Sequence, residues 1–277
     1  MLGYGLPLLF ALVVWWLSTG VVLYIVGRAR ETHAISLSVI SALALAALYV
    51  LYVSSSDASV SGAYIAFSAA LTVWAWHEVS FLLGYVTGPR RTVCPGRPDE
   101  PGATPAPLMP AIESVLYHEV AIAVTALVIA GLTWGGDNLI GLWTFVILWL
   151  MRLSAKLNVY LGVKNLTEQF LPQRLQYLKS YFCRRPMNVF FPFAVTASTV
   201  VTVLIGVAAL EDAATPFEVA GFTFLATLMA LAVLEHWFLV LPIPAERLWS
   251  WGLASRDAAD AEPGAPNEAK RVGMAAA

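Results

Sequence analysis

Ten side chains that carry a charge, an imidazole or an amide interrupt four otherwise apolar stretches of this chain. His77 and Glu78 lie in WAWHEVSFLLG, and Glu113, His118 and Glu119 in AIESVLYHEVAIA. Arg152, Lys156 and Asn158 lie in LMRLSAKLNVYLG, and Glu235 and His236 in LEHWFLVLPIP. At the centre of a membrane-spanning helix each charge costs about 2.5–3.5 kcal/mol on insertion scales, so such groups must pair, coordinate or line a wet cavity. Three kinds of chemistry suit the inventory. In the first, Glu78, Glu119 and Glu235 are neutralised by Arg152 and Lys156, which stand four residues apart on one helix face. Groups near a helix end also reach the interface by snorkelling. In the second, His77, His118 and His236, each next to a glutamate and each on a different stretch, supply ligands with Glu78, Glu113, Glu119 and Glu235. Imidazole and carboxylate together suit iron, manganese or zinc, and facing helices build di-metal sites from such groups. A related option is one His on the magnesium or iron of a tetrapyrrole. The spacing is not E-x-x-H, and neighbours on a helix point about 100° apart, so the His and Glu of one pair need not face one ion. In the third, the same set protonates or binds a small molecule.

The elements that must position these groups are membrane-spanning helices. Of 277 residues, 59% are hydrophobic and 12% charged, against about 25% charged in a soluble domain. Apolar runs long enough to cross a bilayer fall at 4–26, 34–53, 62–86, 110–133, 138–161, 188–210 and 217–241. The fold expected over 1–253 is therefore an all-α bundle of about seven spans, with Gly135-Gly136-Asp137-Asn138 closing a hairpin between the fourth and fifth. All 16 Lys and Arg fall in four groups, after or at the ends of the first, third, fifth and seventh spans. The intervening loops hold Asp57, Asp137, Glu211, Asp212 and Glu218 and no basic residue. The positive-inside rule then puts the N-terminus outside, or in the periplasm, and the C-terminus in the cytoplasm. With that orientation, the polar groups of four spans share one depth, the cytoplasmic third.

Outside the spans, residues 88–108 are Pro/Gly-rich and read as an irregular cytoplasmic loop. Residues 162–187 carry Leu175, Leu178 and Phe182 beside Arg174, Lys179 and Arg184, which suits a short amphipathic helix on the inner leaflet. The tail over 254–277 has the composition of a disordered segment. His33, in the first basic loop, reads as solvated or interfacial. Cys94 and Cys183 sit in loops assigned to a reducing compartment, where a disulfide is not expected. Trp15, Trp16, Trp134, Trp237, Trp249 and Trp251 lie near span ends as interfacial anchors, whereas Trp74, Trp76, Trp143 and Trp149 fall inside spans as packing residues. There is no internal repeat, no P-loop and no GxGxxG, and no nucleic-acid partner is expected.

Five strings carry a family likeness: WWLSTGVVLYIVG (15–27), WHEVSFLLGYVTGPRR (76–91), YHEVAIA (117–123), WLMRLSAKLNVYLGVKN (149–165) and LQYLKSYFCRRPMNVFFP (175–192). They resemble PuhE, a photosynthetic complex assembly family of purple phototrophic bacteria, over residues 4 to about 250. His77, Glu78, Arg90, Arg91, His118, Glu119, Arg152, Lys156 and Asn158 fall in the matched strings, whereas Glu235 and His236 do not. The resemblance implies a multi-pass protein of the bacterial inner membrane that serves assembly of the reaction centre and core antenna and modulates bacteriochlorophyll supply. Its implied partners, besides the lipid bilayer, are reaction-centre or antenna subunits or pigment-synthesis enzymes. Two alternatives are a His/Glu-ligated oxidoreductase or hydroxylase acting on a pigment or isoprenoid, and a tetrapyrrole carrier.

Overall fold

The computed structural model describes residues 2–97, 100–166 and 168–254, and the expectation about the tail lies beyond them. Among the described residues there is no strand, only two isolated bridges, and seven helices are long and apolar enough to cross a membrane. These are α1 (Leu2–Gly27), α2 (His33–Ser54), α3 (Val60–Leu82), α4 (Leu108–Leu132), α5 (Ile140–Leu161), α6 (Phe190–Ala209) and α7 (Pro216–Phe238). The chain is a multi-pass, all-α membrane protein.

Local chemistry ends two of these helices earlier than hydropathy predicts. The third span was expected to reach residue 86, but α3 stops at Leu82 because Gly84 takes φ +76°. There the Gly84 N–H donates to Phe81 O at 2.8 Å and the Tyr85 N–H to Ser80 O at 2.9 Å, the paired bonds of a Schellman end. In the same way α7 ends at Phe238 rather than 241, where the Leu239 N–H closes on His236 O at 3.0 Å. Its start is fixed by a capping box between Thr215 and Glu218, with Pro216 in the first turn, where a missing N–H is harmless. The Gly-Gly-Asp-Asn turn does join α4 to α5. Asn138, 1% exposed, ties it down by donating to Ser54 O and Asp57 O, both at 3.1 Å.

Close packing at the acidic end follows from small residues. Ala63, Ala66 and Ala70 are buried on α3, and Gly141 lets α5 approach so closely that an added Cβ would lie 3.0 Å from Ala66 O. Small residues are how helices meet without a hydrophobic drive between them. Phe67 and Phe224 stack at 4.5 Å between centroids, with Tyr64 edge-on to Phe224 at 4.7 Å. In the ring that matters for the site, α1 packs on α3 and α7, and α5 packs on the same two helices.

The basic end is closed by its loops. The described residues of 88–107 are irregular but fastened. The Cys94 N–H donates to Ser180 Oγ at 2.8 Å, Tyr181 Oη to Thr92 O at 2.9 Å, and Arg185 Nε to Ala103 O at 2.9 Å. The described residues of 162–187 do not form the amphipathic α-helix expected there. They include a 3₁₀ stretch, Gln173–Tyr181, whose Leu175, Leu178 and Tyr181 are buried in a cluster with Cys94 and Leu83. Its apolar spacing faces protein rather than lipid. His33 is a correction too: it is 6% exposed, donating from Nε2 to Arg28 O at 2.8 Å and accepting from Arg174 Nη2 at 3.3 Å. Both cysteines are free and buried, and burial raises the Cys183 thiol above its ordinary range.

Candidate functional site

The polar groups of α3, α4 and α5 pair across the interfaces between them. Arg152 Nη2 lies 2.9 Å from Glu78 Oε2, joining α5 to α3. Lys156 Nζ lies 2.6 Å from Glu119 Oε1, joining α5 to α4, and sits 5.5 Å from the Phe81 ring centroid. Trp149 Nε1 donates to the other Glu119 oxygen at 3.3 Å. Glu235 on α7 takes its hydrogen bond from Trp15 Nε1 on α1 at 2.8 Å. These polar groups thus form two ion pairs and two indole–carboxylate bonds.

The three histidines do not meet. His77 and His118 approach to 6.3 Å between centroids, are 0% and 1% exposed, and are enclosed by Trp76, Phe81 and Phe145. His77 Nε2 shares a hydrogen bond with Thr125 Oγ1 at 3.1 Å, and the Nδ1 atoms of both rings have no protein partner. His236 is elsewhere, its Nδ1 donating to Ala232 O at 2.8 Å and its Nε2 bonded to Ser154 Oγ at 2.9 Å. Two further candidates also stand apart. Glu113 pairs with Arg90 at 2.8 Å at the start of α4, a contact that raises the Arg90 guanidinium further. Asn158, expected among the intramembrane charges, instead accepts from Asn188 Nδ2 at 3.1 Å and joins the end of α5 to the start of α6.

This dispersal decides the fit of the cofactors considered above. Among the described residues no three His, Cys, Asp or Glu side chains come together to hold a metal ion, so the arrangement does not fit a di-iron centre. A tetrapyrrole needs a free imidazole nitrogen facing open space. His77 and His118 have the nitrogen but no space, while His236 lines a cavity between helices with both nitrogens engaged.

That cavity, about 260 Å³, lies inside the ring of α1, α3, α5 and α7. Leu71, Trp74, Leu148, Met151 and Leu228 give it apolar walls, and Glu78, Arg152 and Glu235 meet in one polar corner. Phe170 and Trp249 line it as well. Trp249 is held by donating Nε1 to Trp16 O at 2.9 Å, while Trp16 Nε1 donates to Leu248 O at 2.8 Å.

Comparison with known proteins bears on this bundle as a whole. A family model described as a protein of unknown function, DUF3623, matches residues 1–260. The chain belongs to that family. A relative from Rhodobacter capsulatus, named as an uncharacterized 30.4 kDa protein in the puhA 5′ region, is 40% identical over 252 residues, covering 89% of this chain and 90% of the relative. No solved structure matches.

Among the partners that sequence reading missed in this DUF3623 chain are Trp15, Thr125, Trp149 and Ser154. Two had a signal. Trp149, Arg152 and Lys156 are spaced by three and four, one helix stripe, and Thr125 stands seven after His118 on α4. Trp15 and Ser154 had none, because their roles depend on which helices become neighbours.

Proposed function

We propose that this chain is an integral factor of the bacterial inner membrane, N-terminus outside and C-terminus in the cytoplasm. In this reading it serves assembly of the photosynthetic reaction centre and core antenna and modulates bacteriochlorophyll supply without catalysing a reaction itself. The observation that carries the reading is that the charged residues of the resembling strings bind one another. Glu78 takes Arg152, and Glu119 takes Lys156 and Trp149. Residues so engaged fix α3, α4 and α5 in one arrangement, which suits a scaffold. The relative's naming for the puhA 5′ region, in a purple bacterium, supports a photosynthetic role. The faces available to membrane partners are the apolar outer surfaces of α2, α4 and α6, where Leu45, Leu127 and Leu204 are exposed.

The test is affinity capture of the tagged, full-length chain from mildly solubilised membranes of a phototrophic host. Reaction-centre or antenna subunits, or pigment-synthesis enzymes, are expected in the eluate. A deletion strain should accumulate less of the complex and regain it on complementation. Capture of none of these together with wild-type complex levels in the deletion strain would reject the proposal.

A further inference from the structure

We infer that the cavity within α1, α3, α5 and α7 is a binding site for a neutral single-chain amphiphile that ends in a hydroxyl group. The inference does not rest on the assembly reading; it rests on the shape and chemistry of this space. On α3 the lining runs from Leu71 to Leu82, a length of about 16 Å at 1.5 Å per residue. A volume of about 260 Å³ drawn out over that length makes a narrow slot. The volume also falls just short of the roughly 300–1,000 Å³ of pockets that enclose drug-sized ligands. A slim chain fits where a macrocycle does not.

The polar corner selects the head group. Arg152 Nη2 is bound to Glu78 Oε2, and Glu235 Oε1 to Trp15. Among the described residues those are the protein hydrogen bonds of these three side chains, which leaves further guanidinium N–H groups and one oxygen of each carboxylate open there. Arg152 keeps 44% of its side chain accessible although it lies between helices, because it borders the cavity. A carboxylate head would sit against Glu78 and Glu235, and an ammonium head against Arg152. The carboxylate meets two like charges against one opposite, and a quaternary ammonium has neither a proton to give the carboxylates nor a lone pair for the guanidinium. A hydroxyl avoids both, since it donates to a carboxylate and accepts from the guanidinium. The tail then runs from the level of Glu78 toward Leu71 and Leu228, where the lining is apolar. The head faces Phe170 and Trp249.

The experiment uses the full chain in lipid nanodiscs and three diazirine-bearing C12 probes that share one tail: an alcohol, a carboxylate and a trimethylammonium. After photolysis, peptide mass spectrometry locates the label. The alcohol is expected to label the wall at Leu71, Leu148 and Met151 at least tenfold more than the other two probes, in competition with unlabelled dodecanol. Filling the space with Ala232→Phe should abolish that labelling. If this variant does not fold, Glu235→Leu, which removes a head-group acceptor, should lower the labelling severalfold. The head-group ranking in the unmutated chain decides the matter in any case. Equal labelling by all three probes, preference for a charged probe, or label confined to the lipid-facing Leu43, Val124 and Leu204 would overturn the inference.

Discussion

Lys156 and Glu119 show how a polar residue survives inside this bundle. The pair is about three-quarters buried, with side chains 26% and 21% exposed, and removing one member leaves the other charge without its partner. Breaking a buried pair from one side costs about 3–5 kcal/mol, whereas replacing both members is often neutral. Lys156→Met should therefore destabilise the chain by about 3 kcal/mol, toward the lower end because burial is incomplete. Lys156→Met with Glu119→Gln should recover most of that loss, with melting in detergent as the readout. The cysteines give a second check. Cys183 is 0% and Cys94 1% exposed, so neither should react with maleimide at neutral pH until the protein unfolds. Burial raises the Cys183 thiol, and a raised group stabilises below its unfolded value and loses that contribution as pH climbs through its folded one. Melting temperature should accordingly fall in alkali, and less so in Cys183→Ala. The sequence made the ion pairs legible, since Arg152 and Lys156 share a face and the glutamates lie at matching depth. It could not say that His236 would turn to Ser154 and away from His77. That depends on rotation of α7 about its axis, which a hydropathy run leaves open.

At the scale of elements, the ends of helices are where local rules and tertiary demands met. Gly84 holds a left-handed conformation that other L-residues adopt at a cost of roughly 1–2 kcal/mol, and Arg174 Cδ lies 2.8 Å from where its Cβ would be. Gly84→Ala should therefore destabilise by at least about 1 kcal/mol. Thr215→Ala removes the exposed capping box of α7 and should cost about 1 kcal/mol, measurable by the same melting assay. The seven spans were legible because runs of about twenty predominantly apolar residues have few other uses. The 3₁₀ stretch at 173–181 was misread for a physical reason: Leu175 and Leu178 recur at a spacing that serves a lipid surface or a protein one equally. Only the folded loop carrying Cys94 tells the two apart.

For the whole molecule, the orientation proposed above, N-terminus outside and C-terminus in the cytoplasm, fixes where reporters should be active. Alkaline phosphatase fused after Asp137 or Asp212 should be active outside the cell, and a fluorescent protein fused after Ala254 should glow inside. Activity of both reporters on one side would contradict seven spans. The clasp between Trp16, Leu248 and Trp249 also bears on how the protein is made. Vectorial synthesis delivers α1 to the membrane first, yet its inward side is completed only by residues that leave the ribosome after every other helix. A stop codon placed after Pro244 should thus yield a chain that inserts all its spans and still turns over quickly, its first helix left waiting for a latch that never arrives.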